Sequence, residues 1–252
     1  MKELNNKDKL SNFGFKKVSE KEKVSLVNNV FSSVTKNYDL MNDLMSFGLH
    51  RAWKGYFLHC SNIKNGDKVL DLASGTGDIT KLLHKIVGEN GQVISCDINY
   101  EMLSFGRDNL IDKGIIKNVS YIQSDALELP FKDNDFDHVT MAFGLRNTAN
   151  ISRALKSIHR VIKPGGSIQI LEFSKPEKII QKPYSIFLEK FIPSLGKLVA
   201  NDKDSYKYLA ESIKMHPPQR EIIKQMETSG FVNNVYNNLL FGVASIHRGY
   251  KI

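Results

Sequence analysis

The chain has 252 residues, 41% hydrophobic and 25% charged, with only 7 prolines, which excludes a disordered or fibrous protein and bounds one large domain, 1–252, with a full core. Its 2 cysteines exclude a disulfide framework or a cysteine-built zinc site, and no apolar run reaches the roughly 18 residues that a bilayer-spanning helix needs. A formal charge of +8 points to an anionic partner, nucleic acid or a membrane surface, without choosing between them. The opening MKELNNKDKL lacks the apolar centre of a secretory signal, so a cytoplasmic protein is expected, with residues 1–20 polar, lysine-rich and loose.

Residues 20–60 read as a helical leader, with Val24, Val27, Val30, Phe31 and Val34 at helical spacing. From Lys68 strands and helices alternate: KVLDLA, a helix over 78–87, QVISCDI, a helix over 100–113, then VSYIQSD. HVTMAFG follows, then a helix over 150–162 closed by KPGG, and SIQILEF. Short β-rich runs separated by helices predict an α/β fold, a doubly wound and mostly parallel sheet. Residues 178–230 read as a helical insertion after the fifth strand, and FVNNVYNNLLFGVASIHRGYK as a closing antiparallel hairpin at the sheet edge, the sixth and seventh strands. The leader and the insertion are both candidates for a lid.

The first strand runs into LDLASGTGDIT, where Gly75 and Gly77 let the backbone approach a ligand at the crevice beyond the strand ends. Asp97 ends the second strand, placed to accept hydrogen bonds from two ribose hydroxyls; the pattern therefore predicts a nucleoside. A dinucleotide loop would have glycine at position 80, where Thr80 stands, and Asp78 puts negative charge at the helix start that a pyrophosphate would use. S-adenosylmethionine carries a sulfonium and an amino group and no phosphate, so acidic residues beside this loop favour it over NAD. Asp125 and Ala126 end the third strand, where a carboxylate and a backbone group could hold the adenine; the plainer alternative is that Asp125 caps a turn. In a doubly wound sheet the fourth strand lies beside the first, so FGLRN (143–147) should emerge next to GTGD (75–78), facing the methyl donor.

Several blocks then occur together and in order: NYDLMNDLMSFGLHRAWK (37–54), DLASGTGD, DIN, LPF, FGLRN, RVIKPGG, LEFSKP, YLAESIKMHP and HRGYK. From about Phe13 to the C-terminus the chain resembles the ubiquinone and menaquinone C-methyltransferase family, which methylates a ring carbon of a polyprenylated benzoquinol or naphthoquinol. The resemblance implies a class I methyltransferase with a seven-stranded sheet. It implies that Thr76, Asp97, Asp125 and Ala126 touch S-adenosylmethionine. The chain departs from the family at Ser74, where glycine is common, and at Ala142, where serine is common. Ser74 should be tolerated, whereas Ala142 lacks a hydroxyl and is retained only as a backbone or packing contact.

A quinol ring carbon becomes far more nucleophilic when its hydroxyl ionises. Arg146 holds its proton at any physiological pH and presents a fork of donors, so its predicted role is to stabilise the quinolate oxygen, with Asn147 as a second hydrogen-bonding group. Tyr38 could orient the quinol, and His50 or Asp39 could take the proton. The alternative is structural: a salt bridge from Arg146 to the leader or an N-terminal loop, a helix cap for Asn147, and joints between short helices for Asp39, Asn42, Asp43 and His50. His216 and His247 are weaker candidates, and no metal spacing is convincing.

The prenyl tail needs an apolar path. YSIFLEKFIPSLGKLVA, with Lys182, Lys190 and Lys197, supplies a helix that could lie on the inner face of an anionic membrane; core packing or a homodimer interface is the other use of such a surface. Expected partners are thus the quinol, a membrane face, other enzymes of quinone biosynthesis and a second copy, with nucleic acid not expected. The competing readings are a methyltransferase of the same fold acting on RNA, protein or another small molecule, and a non-catalytic nucleoside-binding scaffold. Against the first, the fourth strand ends in FGLRN rather than a proline-rich tetrapeptide, and no basic RNA module is appended.

Overall fold

The computed structural model describes residues 10–35, 40, 42, 43, 46, 48–194 and 202–252. Tyr38, Asp39 and Lys197 lie outside them. The described chain opens on an antiparallel hairpin, β1 Leu10–Phe13 and β2 Lys16–Ser19, with Phe13 paired to Lys16 across Gly14 and Phe15. That corrects the expectation of a loose start over 10–20: Gly14 adopts left-handed backbone (φ 55°) and closes a two-residue turn, and Phe13 stacks on Tyr208 at 4.2 Å.

Helix α1 (Glu20–Val34) starts at Ser19, whose hydroxyl accepts the Glu22 N–H. Helix α2 (Leu49–His59) buries Trp53, Phe57 and Leu58. The expected alternation follows as β3 (Lys68–Leu72), α3 (Asp78–Val87), β4 (Gln92–Asp97), α4 (Tyr100–Asp112), β5 (Val119–Gln123), β6 (Phe136–Ala142), α5 (Ile151–Val161) and β7 (Ile162–Phe173). A 3₁₀ turn, Leu145–Asn147, joins β6 to α5. The insertion carries α6 (Lys178–Ile186), a π turn over Phe187–Phe191, α7 (Lys203–Met215) and α8 (Gln219–Thr228). Strands β8 (Val232–Leu239) and β9 (Ala244–Tyr250) close the chain.

The seven strands run in the order β5-β4-β3-β6-β7-β9-β8, parallel except where β9 joins β7 and β8 joins β9 antiparallel. Strand β3 can sit at the centre because Val69, Leu70, Asp71 and Leu72 are all buried, the continuous burial of a strand covered on both faces. Each face has its own core. Ile79, Leu83 and Val87 of α3 pack with Trp53 and Phe57 on one side, and Leu155, Ile158 and Val161 of α5 pack with Met226 and Phe231 on the other. Strand β7 starts five residues earlier than SIQILEF suggested. The KPGG turn is absorbed as an irregularity in the pairing with β6, where a Cβ on Gly166 would lie 2.4 Å from the Asp137 carbonyl oxygen.

The pairing that positions the site is β3 with β6, Leu72 opposite Met141. Strands β3 and β4 turn to one side of the chain order and β6 and β7 to the other, so the expected switch point lies between β3 and β6.

Candidate active site

Past Leu72 the chain turns on left-handed backbone at Ala73 (φ 55°), Gly75 (φ 52°) and Gly77 (φ 86°), and past Ala142 it does so at Phe143 (φ 58°). Left-handed Ala and Phe are uncommon, and here they lie at the two strand ends that flank the switch point. The approach is close, since a Cβ on Gly144 would lie 2.4 Å from the Cβ of Ala73. A second glycine, Gly106 in α4, lets that helix close on the loop; a Cβ there would lie 2.7 Å from the Gly75 carbonyl oxygen.

Asp97 organises this end. Its Oδ2 accepts the Gly75 N–H at 2.8 Å and its Oδ1 accepts the Asn99 N–H at 2.9 Å, while burial raises its pKa and these amides oppose the rise. Asn99 caps α4 through the Met102 N–H and donates to the Asn28 carbonyl and to Ser32 Oγ, which fastens α1 across the opening. The result is a cavity that opens to solvent beyond the strand ends. Gly75, Asp97, Asn99, Asp125 and Ala126 form one side; Phe143, Gly144, Asn147 and Thr148 form another; Val24, Val27 and Phe31 of α1 form an apolar wall.

S-adenosylmethionine fits this set. The Asp97 carboxylate suits ribose hydroxyls, Asp125 and Ala126 border the same cavity, and its lining among the described residues carries two carboxylates and no cation for a pyrophosphate. Asp125 Oδ1 also accepts the Leu127 N–H at 2.9 Å, so it caps its turn and borders the cavity at once. Thr76 is buried, and neither it nor Gly77 borders the cavity; Gly77 is the cap residue that opens α3. Ala142 packs in the core beside Phe143 and Phe173 rather than bordering the cavity. Ser74 takes the glycine position without strain, its hydroxyl accepting from Ser95 Oγ at 2.9 Å.

Thr80, where a dinucleotide loop would carry glycine, donates to Asp71 Oδ2 at 2.6 Å, and Thr140 donates to Oδ1 at 3.1 Å. Burial pushes the Asp71 carboxyl up to about 7 against these two bonds. Asp78 pairs with the buried Lys54 at 2.7 Å.

Arg146, expected to stabilise a quinolate oxygen beside the donor, is held in a buried ion pair. Its side chain is 2% exposed and its Nη1 donates to Glu172 Oε1 at 2.7 Å and to the Phe143 carbonyl at 2.6 Å. Glu172 Oε2 also accepts the Arg146 N–H. The guanidinium lies over the Phe173 ring, 5.5 Å from its centre, and borders a neighbouring cavity rather than the donor cavity. The pairing is thus neither to the leader nor to the N-terminal loop but to β7. Glu172 escaped notice because its partner is set by strand pairing rather than by local spacing, although it stands in the LEFSKP block.

Asn147 does border the donor cavity. Its Nδ2 donates to the Phe143 carbonyl at 3.3 Å and its Oδ1 accepts from Tyr208 Oη at 3.0 Å, while Asn150 is the cap of α5. Burial pushes the Tyr208 phenol up, so it stays a donor.

The three candidate histidines are buried. Burial pulls His50 down to about 4, and its Nδ1 shares a proton with Ser46 Oγ at 3.1 Å, 3.5 Å from Asp43 Oδ1. Asp43 itself takes Arg51 in two hydrogen bonds, and Asn42 accepts from Ser46 through its carbonyl, so these residues join helices as the structural alternative has it. His216 is pulled down to about 3 and His247 to about 4, by burial first in each case. Among the described residues no helix is long and apolar enough to cross a membrane.

Residues 16–251 match the ubiE/COQ5 methyltransferase family. The chain is 51% identical over 250 residues to the ubiquinone/menaquinone biosynthesis C-methyltransferase of Idiomarina loihiensis, covering 98% of this chain and 100% of that one. It is 50% identical over 244 residues to the protein of the same name from Pseudoalteromonas translucida, covering 96% and 97%. Among solved structures it is similar to a SAM dependent methyltransferase from Aquifex aeolicus (TM-score 0.60, 21% identity, 87% of this chain and 98% of that one). It is also similar to Haemonchus contortus phosphoethanolamine N-methyltransferase 2 in complex with S-adenosyl-L-methionine (TM-score 0.60, 15% identity, 79% and 52%). These two likenesses show the fold, and the relatives at half identity show the lineage. The chain belongs to the ubiE/COQ5 methyltransferase family, the S-adenosylmethionine-dependent C-methyltransferases of ubiquinone and menaquinone biosynthesis.

Proposed function

We infer that the protein methylates a ring carbon of a polyprenylated quinol, 2-methoxy-6-polyprenyl-1,4-benzoquinol, demethylmenaquinol or both. The observation that carries this reading is a single cavity bordered by the Asp97, Asp125 and Ala126 side and by the Asn147 turn, under an apolar wall from α1. Bound there, S-adenosylmethionine supplies an electrophilic methyl on a sulfonium. The apolar wall of Val24, Val27 and Phe31 excludes water and suits a flat ring. Asn147, fixed by Tyr208, offers its amide to a quinol oxygen. Arg146, neutralised as a pair with Glu172, holds the turn that carries Asn147, so its part is to place the turn rather than to meet the quinolate as a lone cation. Tyr38, in the segment before α2, is the further candidate for orienting the quinol. Arg146→Lys is expected to lose much of kcat while S-adenosylmethionine affinity stays near normal, because a lysine ammonium has no guanidinium plane to lie over Phe173 and no fixed bond directions toward Phe143 and Glu172.

The prenyl tail argues for contact with a membrane face. Ile179, Ile186 and Phe191 are 80%, 53% and 61% exposed on α6 and the π turn, and Lys178, Lys182 and Lys190 lie in the same stretch. Sedimentation with anionic vesicles tests this, and binding unchanged by replacing the three lysines overturns it. The reaction itself is tested by incubating the protein with methyl-labelled S-adenosylmethionine and the reduced forms of both demethylated quinones. Label in one or both lipids supports the reading, and label in neither rejects it.

A further inference from the structure

The 3₁₀ turn that carries Asn147 is held from outside. Lys23 Nζ, on α1, donates to the Thr148 carbonyl at 2.8 Å and to the Arg146 carbonyl at 3.4 Å, the two peptide oxygens that flank Asn147. Ser11 Oγ, on β1, donates to the next carbonyl, Ala149, at 2.7 Å. Glu20, one turn before Lys23 on α1, accepts from Asn150 Nδ2 and from Arg153 Nη1. Carbonyls at the open end of a turn lack partners within it, and here the N-terminal segment supplies them.

Lys23 is an expensive way to do this. It is 5% exposed and no carboxylate among the described residues pairs with it; burial pulls its ammonium down to about 8. A lysine buried on carbonyls alone gains little stability from its charge, since an apolar side chain of similar length would avoid the desolvation. What the ammonium does supply is reach and two directed hydrogen bonds that fix one turn against one helix. That helix is also the apolar wall of the donor cavity, so the two sides of the site are set relative to each other at this point.

We propose that Lys23 is a positioning residue for methyl transfer: it latches α1 to the Arg146–Thr148 turn and thereby sets where Asn147 stands in the donor cavity. This rests on the reading of Asn147 as a quinol-facing group. Asn99 fastens the same helix to the cofactor side independently, through Asn28 and Ser32, so loss of the latch should displace the turn while leaving donor binding in place.

The test compares the full chain with Lys23→Met and Lys23→Arg. Methionine keeps the length of the stem and removes the donors, and removing a buried charge spares stability. Hydrogen exchange is measured on peptides spanning 143–150, beside the melting temperature, the S-adenosylmethionine dissociation constant and quinol turnover. In Lys23→Met, exchange over the turn should quicken by about tenfold or more, and kcat should fall by about ten- to a hundredfold. The dissociation constant should stay within about threefold and the melting temperature within about 3 °C. Lys23→Arg should recover most of the turnover, because Lys23 borders a second cavity, open to solvent, with room for the larger head. Unchanged exchange and turnover in Lys23→Met overturns the proposal. So does a fall in turnover matched by equal losses of melting temperature and donor affinity, which marks a residue that only supports the fold. If the unaltered protein methylates neither quinol, the proposed function fails, and the exchange measurement still decides whether Lys23 is the latch.

Discussion

Replacing Glu172 by glutamine should destabilise the protein strongly although it changes one atom. The Arg146 and Glu172 side chains are 2% and 1% exposed, and Glu172 accepts Arg146 Nη1, the Arg146 N–H and the Phe173 N–H. Glutamine keeps the shape, but it leaves the guanidinium buried without a counter-charge and turns an amide NH₂ toward groups that are themselves donors. Arg146 Nε already lacks a partner among the described residues, so the site has no spare acceptor. Removing one partner of a buried pair costs about 3–5 kcal/mol, and at about 2–4 °C per kcal/mol for a chain of this size the melting temperature should fall by about 6–20 °C. Thermal unfolding followed by circular dichroism at neutral pH reads this directly. The double variant Arg146→Met with Glu172→Gln should recover most of the loss, because it removes both charges together while the glutamine carbonyl still accepts from the backbone N–H groups. A single variant that melts within about 2 °C of the unaltered protein, or a double variant no better than the single one, would refute the reasoning.

Gly106→Ala should improve helix propensity by about 1 kcal/mol, yet weaken S-adenosylmethionine binding by about 5- to 100-fold, because the new methyl meets the Gly75 and Thr76 backbone; calorimetric titration checks it. Tyr208→Phe frees Asn147 Oδ1 and should lower kcat by about 2- to 10-fold with donor affinity unchanged. Stability should fall as pH drops below the ordinary histidine value. His50, His216 and His247 have folded pKa values depressed to about 4, 3 and 4, so the stability they contribute is present above 6.5 and lost as pH falls toward those values. Asp71, raised to about 7, acts oppositely, contributing stability below its unfolded value that is lost as pH rises. With three such rings against one such carboxyl, these four groups make unfolding take up protons near pH 5, so stability falls from pH 6 to pH 5; urea unfolding at the two pH values measures it, and equal stability at both would contradict the burial of these rings as neutral groups.

The architecture was legible because it follows from patterns that repeat. Alternating β-rich runs and helices imply the doubly wound sheet, and the switch-point rule alone brings FGLRN beside GTGD before any side chain is considered. That Asp97, Asp125 and Ala126 border one cavity was readable for the same reason, since they end strands whose order is known. What depends on long-range pairing was not. Glu172 meets Arg146 only because β7 lies beside β6, and nothing in the spacing of the two residues announces it. Gly106 left a usable signal, a glycine in the middle of a helix, where it costs about 1 kcal/mol and calls for a packing reason. The hairpin over 10–19 was masked by its lysines, although Gly14 between Phe13 and Phe15 marks its turn. Thr76, Gly77 and Ala142 lie outside the lining of the cavity, because a motif marks a loop and not which of its residues border the opening.

The most direct test of the central claim is where the methyl group goes. The protein is supplied with carbon-13 methyl S-adenosylmethionine and each reduced demethylated quinone, and the product is examined by nuclear magnetic resonance. A labelled methyl bonded to a ring carbon, with both hydroxyls free, is the result predicted. A labelled methyl on oxygen, or none on either quinol, would contradict it.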